Sequence, residues 1–167
     1  MKHFVLAALS FAMMPAALWG LQPSVQVKPP DVHGSRPVEP TTGTAVVRDY
    51  LQSWQSMRMA LDENQVGALD LDFVGTARTR LAHTIEQQAA IGIHTRYQDE
   101  SHHLQIVFYS PNGLSIQLVD NVTYNEEVFD SKSQALASHR IHARYLVVLT
   151  PAANRWQVRI LQASPQS

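Results

Sequence analysis

The chain contains eight histidines, and imidazole serves as a metal ligand and as an acid–base group near neutral pH. His102 and His103 are adjacent in a stretch of strand-like alternation, so they are expected on opposite faces of a sheet. His139 and His142 are three residues apart, which also predicts opposite faces. No H-E-x-x-H or comparable spacing occurs in the sequence. We therefore expect no metal site.

A histidine–carboxylate pair is the acid–base arrangement that these residues leave open. His94 and His142 are the candidate imidazoles, and Asp99 and Asp120 are the candidate carboxylates. A sheet can bring residues that are distant in sequence within hydrogen-bond reach of each other, as proton transfer requires. The spacing alone assigns no catalytic residue.

An acidic cluster lies at the end of one predicted strand, beside a polar loop. Its members are Glu126, Glu127 and Asp130. We interpret it as a solvated edge that discourages strand-to-strand aggregation. The alternative is a contact for calcium or for a protein partner.

Four aromatic residues are candidates for the wall of a ligand pocket. Tyr50 and Trp54 are four residues apart, so they share one face of a predicted helix. Tyr97 and Tyr145 belong to the strand-rich part of the chain that this helix would cover. Such residues either form a core in which each polar tip finds a backbone partner, or surround a small apolar ligand.

Helical periodicity positions the first of these residues and fills residues 43–92. The first helix is predicted to begin near Thr42 to Thr44, and a short second helix covers 63–69. Asp70 or Asp72 caps a third helix that ends at Gly92.

From about residue 95 the period of the apolar residues changes to two. The predicted strands are 102–110, 114–130, 140–150 and 155–163, with hairpin turns after the first and third. The inner face of the first strand is expected to carry Leu104, Ile106 and Phe108. This order predicts an α+β fold in which N-terminal helices pack on a curved, mainly antiparallel sheet, a cone-like roll with one open mouth.

Three apolar residues are expected on the other face of the last two strands: Leu146, Val148 and Leu161. Apolar residues on the outer face of a sheet suggest that this face is covered. A homodimer across the sheets is the expected explanation, and scattered surface residues are the alternative.

The N-terminus predicts export. Residues 1–20 combine a basic head, an apolar run and small residues, as secretory signals do, and the proline-rich residues 21–41 predict an extended tether. The folded domain is then 42–165. With no cysteine, neither a disulfide nor a lipoprotein anchor is expected. We expect a periplasmic or secreted protein of a bacterial envelope, touching the membrane only if the signal stays uncleaved.

The charge balance excludes one class of partner. Thirteen Lys and Arg residues face 14 Asp and Glu residues, and no basic block occurs. Binding to nucleic acid through phosphate neutralisation is therefore not expected. No cofactor is expected either.

Two segments resemble the nuclear transport factor 2-like superfamily, which includes ketosteroid isomerase, scytalone dehydratase and the SnoaL-like cyclases. The hairpin Ala143-Arg144-Tyr145-Leu146-Val147-Val148-Leu149 through Arg155-Trp156-Gln157-Val158 is similar to the last two strands of that superfamily. Thr44-Ala45-Val46-Val47 followed by Tyr50 looks like the first helix of the isomerases. The resemblance implies a cone-shaped α+β fold that often pairs as a homodimer.

The resemblance also implies roles for a few residues. Tyr50 matches a helix tyrosine that donates a hydrogen bond to a substrate oxyanion. The family's catalytic carboxylate follows the first helix, where Asp70 and Asp72 match it loosely, and the family's second acid, on the penultimate strand, has no counterpart.

Two functions follow from these observations. The favoured one is an exported, non-catalytic domain of the cell envelope that binds a small apolar ligand or another protein. The alternative is a SnoaL-like lyase, isomerase or hydrolase acting on a small apolar substrate in the cone. A titratable group beside Tyr50 would favour the enzyme, whereas a cone filled by Trp54, Leu81 and Ile106 would favour the interaction role.

Overall fold

The computed structural model describes residues 22–32 and 36–164. Two α-helices come first, α1 (Pro40–Glu63) and α2 (Gly75–Ala90), with a short 3-10 helix at Val66–Leu69 between them. The predicted signal, residues 1–20, lies outside the described residues. No helix among the described residues is both long enough and apolar enough to cross a membrane.

The residues that cap the helices differ from the predicted ones. α1 starts with Pro40 in its first turn, where the missing amide hydrogen costs nothing, and ends before Asn64 in the left-handed conformation. α2 follows Val74, and no side chain caps it. The prediction that Asp70 or Asp72 caps this helix is therefore wrong, because both carboxylates bind arginine side chains instead.

Within residues 22–32 and 36–164, five strands form one sheet in the order β1-β2-β3-β4-β5. Only β1 and β2 are parallel, and the other neighbours are antiparallel. The strands are β1 (Ser24–Val27), β2 (Ile93–Tyr109), β3 (Ile116–Asp130), β4 (Ala135–Pro151) and β5 (Trp156–Ser164). The predicted α+β fold, with helices on a mainly antiparallel sheet, is confirmed.

The helices cover one face of the sheet, here called the inner face. The buried side of α1 carries Val46, Tyr50, Trp54, Met57 and Leu61, which recur at helical spacing. On the sheet, the buried apolar residues are Leu104, Ile106, Tyr109, Ile116, Leu118, Val122, Tyr124, Val147, Leu149 and Val158. These two sets form the main hydrophobic core.

Register shifts in β2 change which residues face the core. One shift lies between Ile106 and Phe108, so Phe108 pairs with Gln117 on the outer face, and Tyr109 is the residue that is buried. The predicted inward position of Phe108 is therefore wrong. A bulge inserts one extra residue and moves every later side chain to the other face.

A second register shift changes which apolar residues lie on the outer face of the sheet. It lies between Val148 and Leu149 in the pairing of β4 with β5. As a result Leu161 pairs with the buried Val147 and packs on the core, while Ile160 pairs with Val148. Leu161 thus leaves the predicted outer set, and Ile160 takes its place.

Part of the expected tether is joined to the sheet. Ser24–Val27 pairs in parallel with residues 101–104 of β2, and all four residues of this strand are exposed. The amide of Lys28 donates to the carbonyl of Leu104 at 2.8 Å, and the amide of Asp31 donates to that of Ile106 at 3.0 Å. This segment is extended as its prolines predict, but it lies along the domain.

Candidate functional site

The centre of the inner face holds a tyrosine, a carboxylate and an imidazole. Tyr50 on α1 donates its hydroxyl to Asp120 Oδ2 on β3 at 2.8 Å, and His102 Nδ1 on β2 lies 2.7 Å from the same oxygen. The exposed fraction of Tyr50 and His102 is 1% each, and that of Asp120 is 0%. A phenol donor, a carboxylate and an imidazole are the groups that general acid–base chemistry uses.

A second carboxylate, Asp99, continues this group towards the surface. Its Oδ1 accepts a hydrogen bond from Trp54 Nε1 at 2.7 Å, and its Oδ2 accepts one from Arg58 at 2.8 Å. His102 Nε2 lies 3.9 Å from Asp99 Oδ2, an ion-pair separation that is too long for a hydrogen bond. We call Tyr50, Asp120, His102, Asp99, Trp54 and Arg58 the central chain.

A bulge in β2 makes this arrangement possible. Asp99 and His102 are three residues apart, so a regular strand would place them on opposite faces. The register shift between Asp99 and Ser101 inserts Glu100 as an extra residue, and both side chains then point inward. Strand alternation alone could not reveal this pair.

The histidine partners therefore differ from the predicted ones. His94 Nδ1 lies 3.0 Å from Asp62 Oδ1, and His142 Nδ1 lies 3.0 Å from the hydroxyl of Thr123. Neither contacts the predicted carboxylates: Asp120 hydrogen-bonds His102 instead, and Asp99 lies at ion-pair distance from His102. The predicted pairing of His94 or His142 with Asp99 or Asp120 is therefore wrong, and the imidazole that lies beside these acids is that of His102.

The charges of the central chain balance within it. Burial lowers the pKa of His102, but the hydrogen bond to Asp120 and the nearby carboxylate of Asp99 outweigh it, and the pKa rises to about 9. Burial, with the adjacent charge of Asp120, raises the pKa of Tyr50 well above its usual value. At neutral pH the imidazolium and Arg58 therefore offset the two carboxylates, and Tyr50 stays a donor.

One buried oxygen in this site has no hydrogen-bond partner. Both donors, from Tyr50 and from His102, bind Asp120 Oδ2, and Asp120 Oδ1 receives none. An unpaired buried polar atom normally costs free energy. In an enzyme, such an oxygen could serve as a base.

Three further tyrosines, Tyr97, Tyr124 and Tyr145, lie together beside Trp54 of the central chain. The Tyr124 and Tyr145 hydroxyls are 3.3 Å apart, and the Tyr97 and Tyr124 rings are 4.7 Å apart. Burial is the main cause that raises the pKa of Tyr97, Tyr124 and Tyr145 above the usual tyrosine value. Of the predicted pocket residues, Tyr50 and Trp54 are thus buried, whereas Tyr97 and Tyr145 are half-buried.

Trp54 is the member of the central chain that contacts two of these tyrosines. Its ring contacts His102, Tyr124 and Tyr145 edge-on, with centroids 5.1, 5.8 and 5.7 Å away. Trp54 is 2% exposed and Ile106 is 3% exposed, and the half-buried Leu81 packs against the same core. These apolar side chains pack directly beside the buried members of the central chain.

The carboxylates that the resemblance suggested for catalysis lie elsewhere. Asp70 binds Arg78 at the surface. Asp72 is buried, and it accepts a hydrogen bond from Ser56 Oγ at 2.6 Å and one from Arg155 at 2.7 Å. Asp72 therefore fastens the β4–β5 turn to α1, and neither acid reaches Tyr50 or the central chain.

The acidic cluster at the end of β3 has a local role. Asp130 Oδ1 accepts hydrogen bonds from the amides of Lys132 and Gln134, at 2.9 and 2.8 Å, which shapes the turn into β4. Glu126 and Glu127 are half-buried on the strand. In the part of the chain that the structure describes, no group of three or more potential ligands is arranged to hold a metal ion.

A surface groove of about 590 Å³ lies outside the cone, on the exposed side of α1. It is bounded by α1, the 3-10 helix and the β4–β5 turn, and the exposed Met59 and Leu71 lie along it. Its buried carboxylate Asp49 binds Arg48 and the amide of Trp156. The groove has no contact with the central chain.

Similar solved structures support the fold. The intermembrane-space region of the chloroplast protein ARC6 matches with a TM-score of 0.61 at 10% identity, over 77% of this chain and 98% of that one. A scytalone dehydratase-like protein from Novosphingobium aromaticivorans matches with 0.52 at 13% identity, over 76% and 89%. A dehydratase-like protein of the NTF2-like family from Streptomyces avermitilis matches with 0.51 at 10% identity, over 74% and 99%.

These matches confirm the resemblance seen in the sequence: the fold is that of the nuclear transport factor 2-like superfamily. At such low identity they show the fold alone. No family model matches the sequence, and no curated protein matches it either.

Proposed function

We propose that this protein is an exported, non-catalytic protein-interaction domain of the cell envelope. One observation carries the proposal: the groups that could do chemistry inside the cone are inaccessible and bind one another. The exposed fraction does not exceed 1% for any of the three residues Tyr50, His102 and Asp120. The interior then serves as a core, and the surfaces are left for function.

The ARC6 match gives this proposal a parallel. That protein uses the same fold in a region that faces an intermembrane space. A domain preceded by a signal-like segment would likewise work outside the cytosol.

The alternative is a SnoaL-like enzyme acting on a small apolar substrate. It is favoured by the hydrogen-bonded Tyr50, Asp120 and His102 and by the unpaired Asp120 Oδ1. Two matching structures are dehydratase-like proteins. Catalysis would require Trp54 to move so that substrate could enter.

A phenolic probe separates the two functions. A naphthol binds next to an oxyanion donor if the cone opens, and its fluorescence reports the transfer from water. We expect no saturable binding to the wild type. Saturable binding that Tyr50→Phe weakens, and that Tyr109→Phe on the same core leaves unchanged, would refute the proposed function in favour of the enzyme.

We also propose that the outer face of the sheet forms a homodimer. Adjacent strands place five apolar residues there: Phe108, Val119, Leu146, Val148 and Ile160. Leu146 is 37% exposed, and the other four are half-buried. A patch of this kind marks an interface more often than bare surface.

Sedimentation of the wild type and of Val148→Asp tests the dimer. The wild type is expected to sediment as a dimer and Val148→Asp as a monomer, because a buried unpaired charge opposes association. Asn121→Asp, on the polar half of the same face, is the matched control and should remain dimeric. A monomeric wild type would exclude the interface.

A further inference from the structure

The sheet ends in an edge that lacks a strand. β3 pairs with β4 along residues 135–149, whereas β5 pairs only with residues 144–151. Within the described residues, the segment Ala137–Ala143 therefore has a strand on one side only. These residues are exposed or half-buried. Such an edge is a template for an additional strand.

The hydrogen-bond pattern shows which backbone groups face this edge. The carbonyls of Leu104 and Ile106 point away from β3, since they accept bonds from Lys28 and Asp31. Alternate residues of an antiparallel strand bond to opposite neighbours. Carried through the register of β3, this alternation directs the amides and carbonyls of Ser138, Arg140 and His142 to the open edge.

The side chains along the edge define what an added strand would contain. On the outer face lie Arg140 and His142, and on the inner face lie Ile141 and Ala143, which pack against the core. Arg140 also binds Glu100, but its side chain stays 60% exposed, so its other guanidinium donors can still reach a partner. Opposite charges across a strand pair stabilise it, and apolar residues favour apolar neighbours. The complementary strand therefore alternates acidic and apolar residues.

Charge along the chain favours the same partner. Residues 131–167 contain five of the 13 Lys and Arg residues and none of the 14 Asp and Glu residues. Pairing this edge with the same edge of a second copy would place Arg140 and His142 opposite basic groups, which is destabilising. Self-association through this edge is thus disfavoured, and an acidic strand is favoured.

We propose that the open edge of β4, Ala137–Ala143, binds an extended partner segment of alternating acidic and apolar residues as a sixth strand. Backbone hydrogen bonds to Ser138, Arg140 and His142 would supply affinity, and the two faces would supply specificity. This inference rests on the proposed function and names its partner and surface.

A synthetic peptide of alternating glutamate and valine is the probe. It should bind saturably and shift the backbone amide resonances of Ser138, Arg140 and His142 in particular. Two control peptides separate strand addition from charge attraction: one with proline in place of valine, which cannot extend the ladder, and one with lysine in place of glutamate. Both should bind at least about tenfold more weakly.

Protein variants give an independent test. Ser138→Pro removes an amide that faces the open edge and bears no bond to β3, so affinity should fall about tenfold. Ala163→Pro removes an outward amide from the β5 edge and should leave affinity unchanged. The peptide controls need no protein variant, so misfolding of Ser138→Pro would not hide the answer.

Three results would overturn the proposal: no binding of the glutamate–valine peptide, equal binding of the proline peptide, or resonance shifts away from β4. If any of these results is found and the cone excludes the naphthol probe, the edge does not bind such a segment, and the interaction-domain proposal still stands. Entry of the probe into the cone would refute the interaction-domain proposal, whatever segment the β4 edge binds.

Discussion

Asp120 and Asp72 are both buried carboxylates, but only one has a partner for each oxygen. Asp72 uses one oxygen for Ser56 and the other for Arg155, whose side chain is 31% exposed. Asp120 accepts both of its bonds on Oδ2, leaves Oδ1 unpaired, and binds an imidazole that is 1% exposed. The first acid lies at the periphery, and the second lies in the middle of the core.

This difference in surroundings determines how much stability the protein loses when each acid is removed. If Asp72 is removed, Arg155 can turn to water, which screens its charge. If Asp120 is removed, His102 has no access to water and must either keep an unbalanced charge or release its proton. We therefore expect the central chain to be the more sensitive of the two regions, and the following experiments challenge that expectation.

Trp54→Ala should have the largest effect. Trp54 is buried and contacts His102, Tyr124 and Tyr145, and its Nε1 donates to Asp99. Truncation leaves a cavity and an unpaired acceptor, and the free energy of unfolding should fall by roughly 4–5 kcal/mol. Chemical denaturation measures this loss.

Trp156→Ala is the matched control, since this second tryptophan is half-buried on the first residue of β5. Trp156→Ala should lower the free energy of unfolding clearly less than Trp54→Ala does. A Trp54→Ala variant as stable as Trp156→Ala would mean that Trp54 lines an accessible cone, which would favour the enzyme alternative.

Asp120→Asn and Asp72→Asn compare the two acids directly. Each keeps the shape of the side chain and removes its charge. Asp120→Asn should lower the free energy of unfolding by about 3–4 kcal/mol, because the charge of His102 is left uncompensated. Asp72→Asn should lower it by about 1–2 kcal/mol, because Arg155 is partly solvated.

Equal losses in the two variants would show that the peripheral acid matters as much as the central one. A solvated arginine partner and an enclosed histidine partner would then make no difference to the stability that each acid provides. Denaturation curves of both variants in one buffer settle the comparison.

Sequence patterns predicted the helix side of the core better than the strand side. The helical spacing of Tyr50 and Trp54 placed both on the inner face, and the final hairpin indicated the fold. The pairing of Asp99 with His102 depends on a bulge at Glu100, and the positions of Phe108 and Leu161 depend on similar register shifts. A bulge reflects the fit between strands and leaves no periodic signal in one strand, so strict alternation misassigned these residues.

The pH dependence of stability isolates His102. Its pKa in the folded protein, about 9, lies above the value for an unfolded histidine, so the folded state binds the proton more tightly. The resulting stabilisation is complete below the unfolded pKa of about 6.5 and is lost as pH rises through 9, a decrease of about 3 kcal/mol. Denaturation at a series of pH values measures it.

His102→Gln should remove this decrease between pH 6.5 and 9. The buried tyrosines contribute only at higher pH, because their pKa values are raised above the usual tyrosine value. A wild-type protein with constant stability over this range would indicate a neutral imidazole in the folded state.

Tyr50→Phe should cost less than the other changes in the central chain and is the most specific test of it. The change removes one hydroxyl that donates to Asp120 Oδ2 and leaves the ring in place. Loss of a single hydrogen bond to a charged group should cost about 2 kcal/mol. His102 then becomes the only donor to that oxygen, so its hydrogen bond should strengthen and its pKa should rise further. Imidazole titration by NMR measures that shift, with Ser53→Ala as a control on the same face of α1. A fall in the His102 pKa would mean that Tyr50 holds Asp120 in place, and that the hydroxyl does not compete with the imidazole for its oxygen.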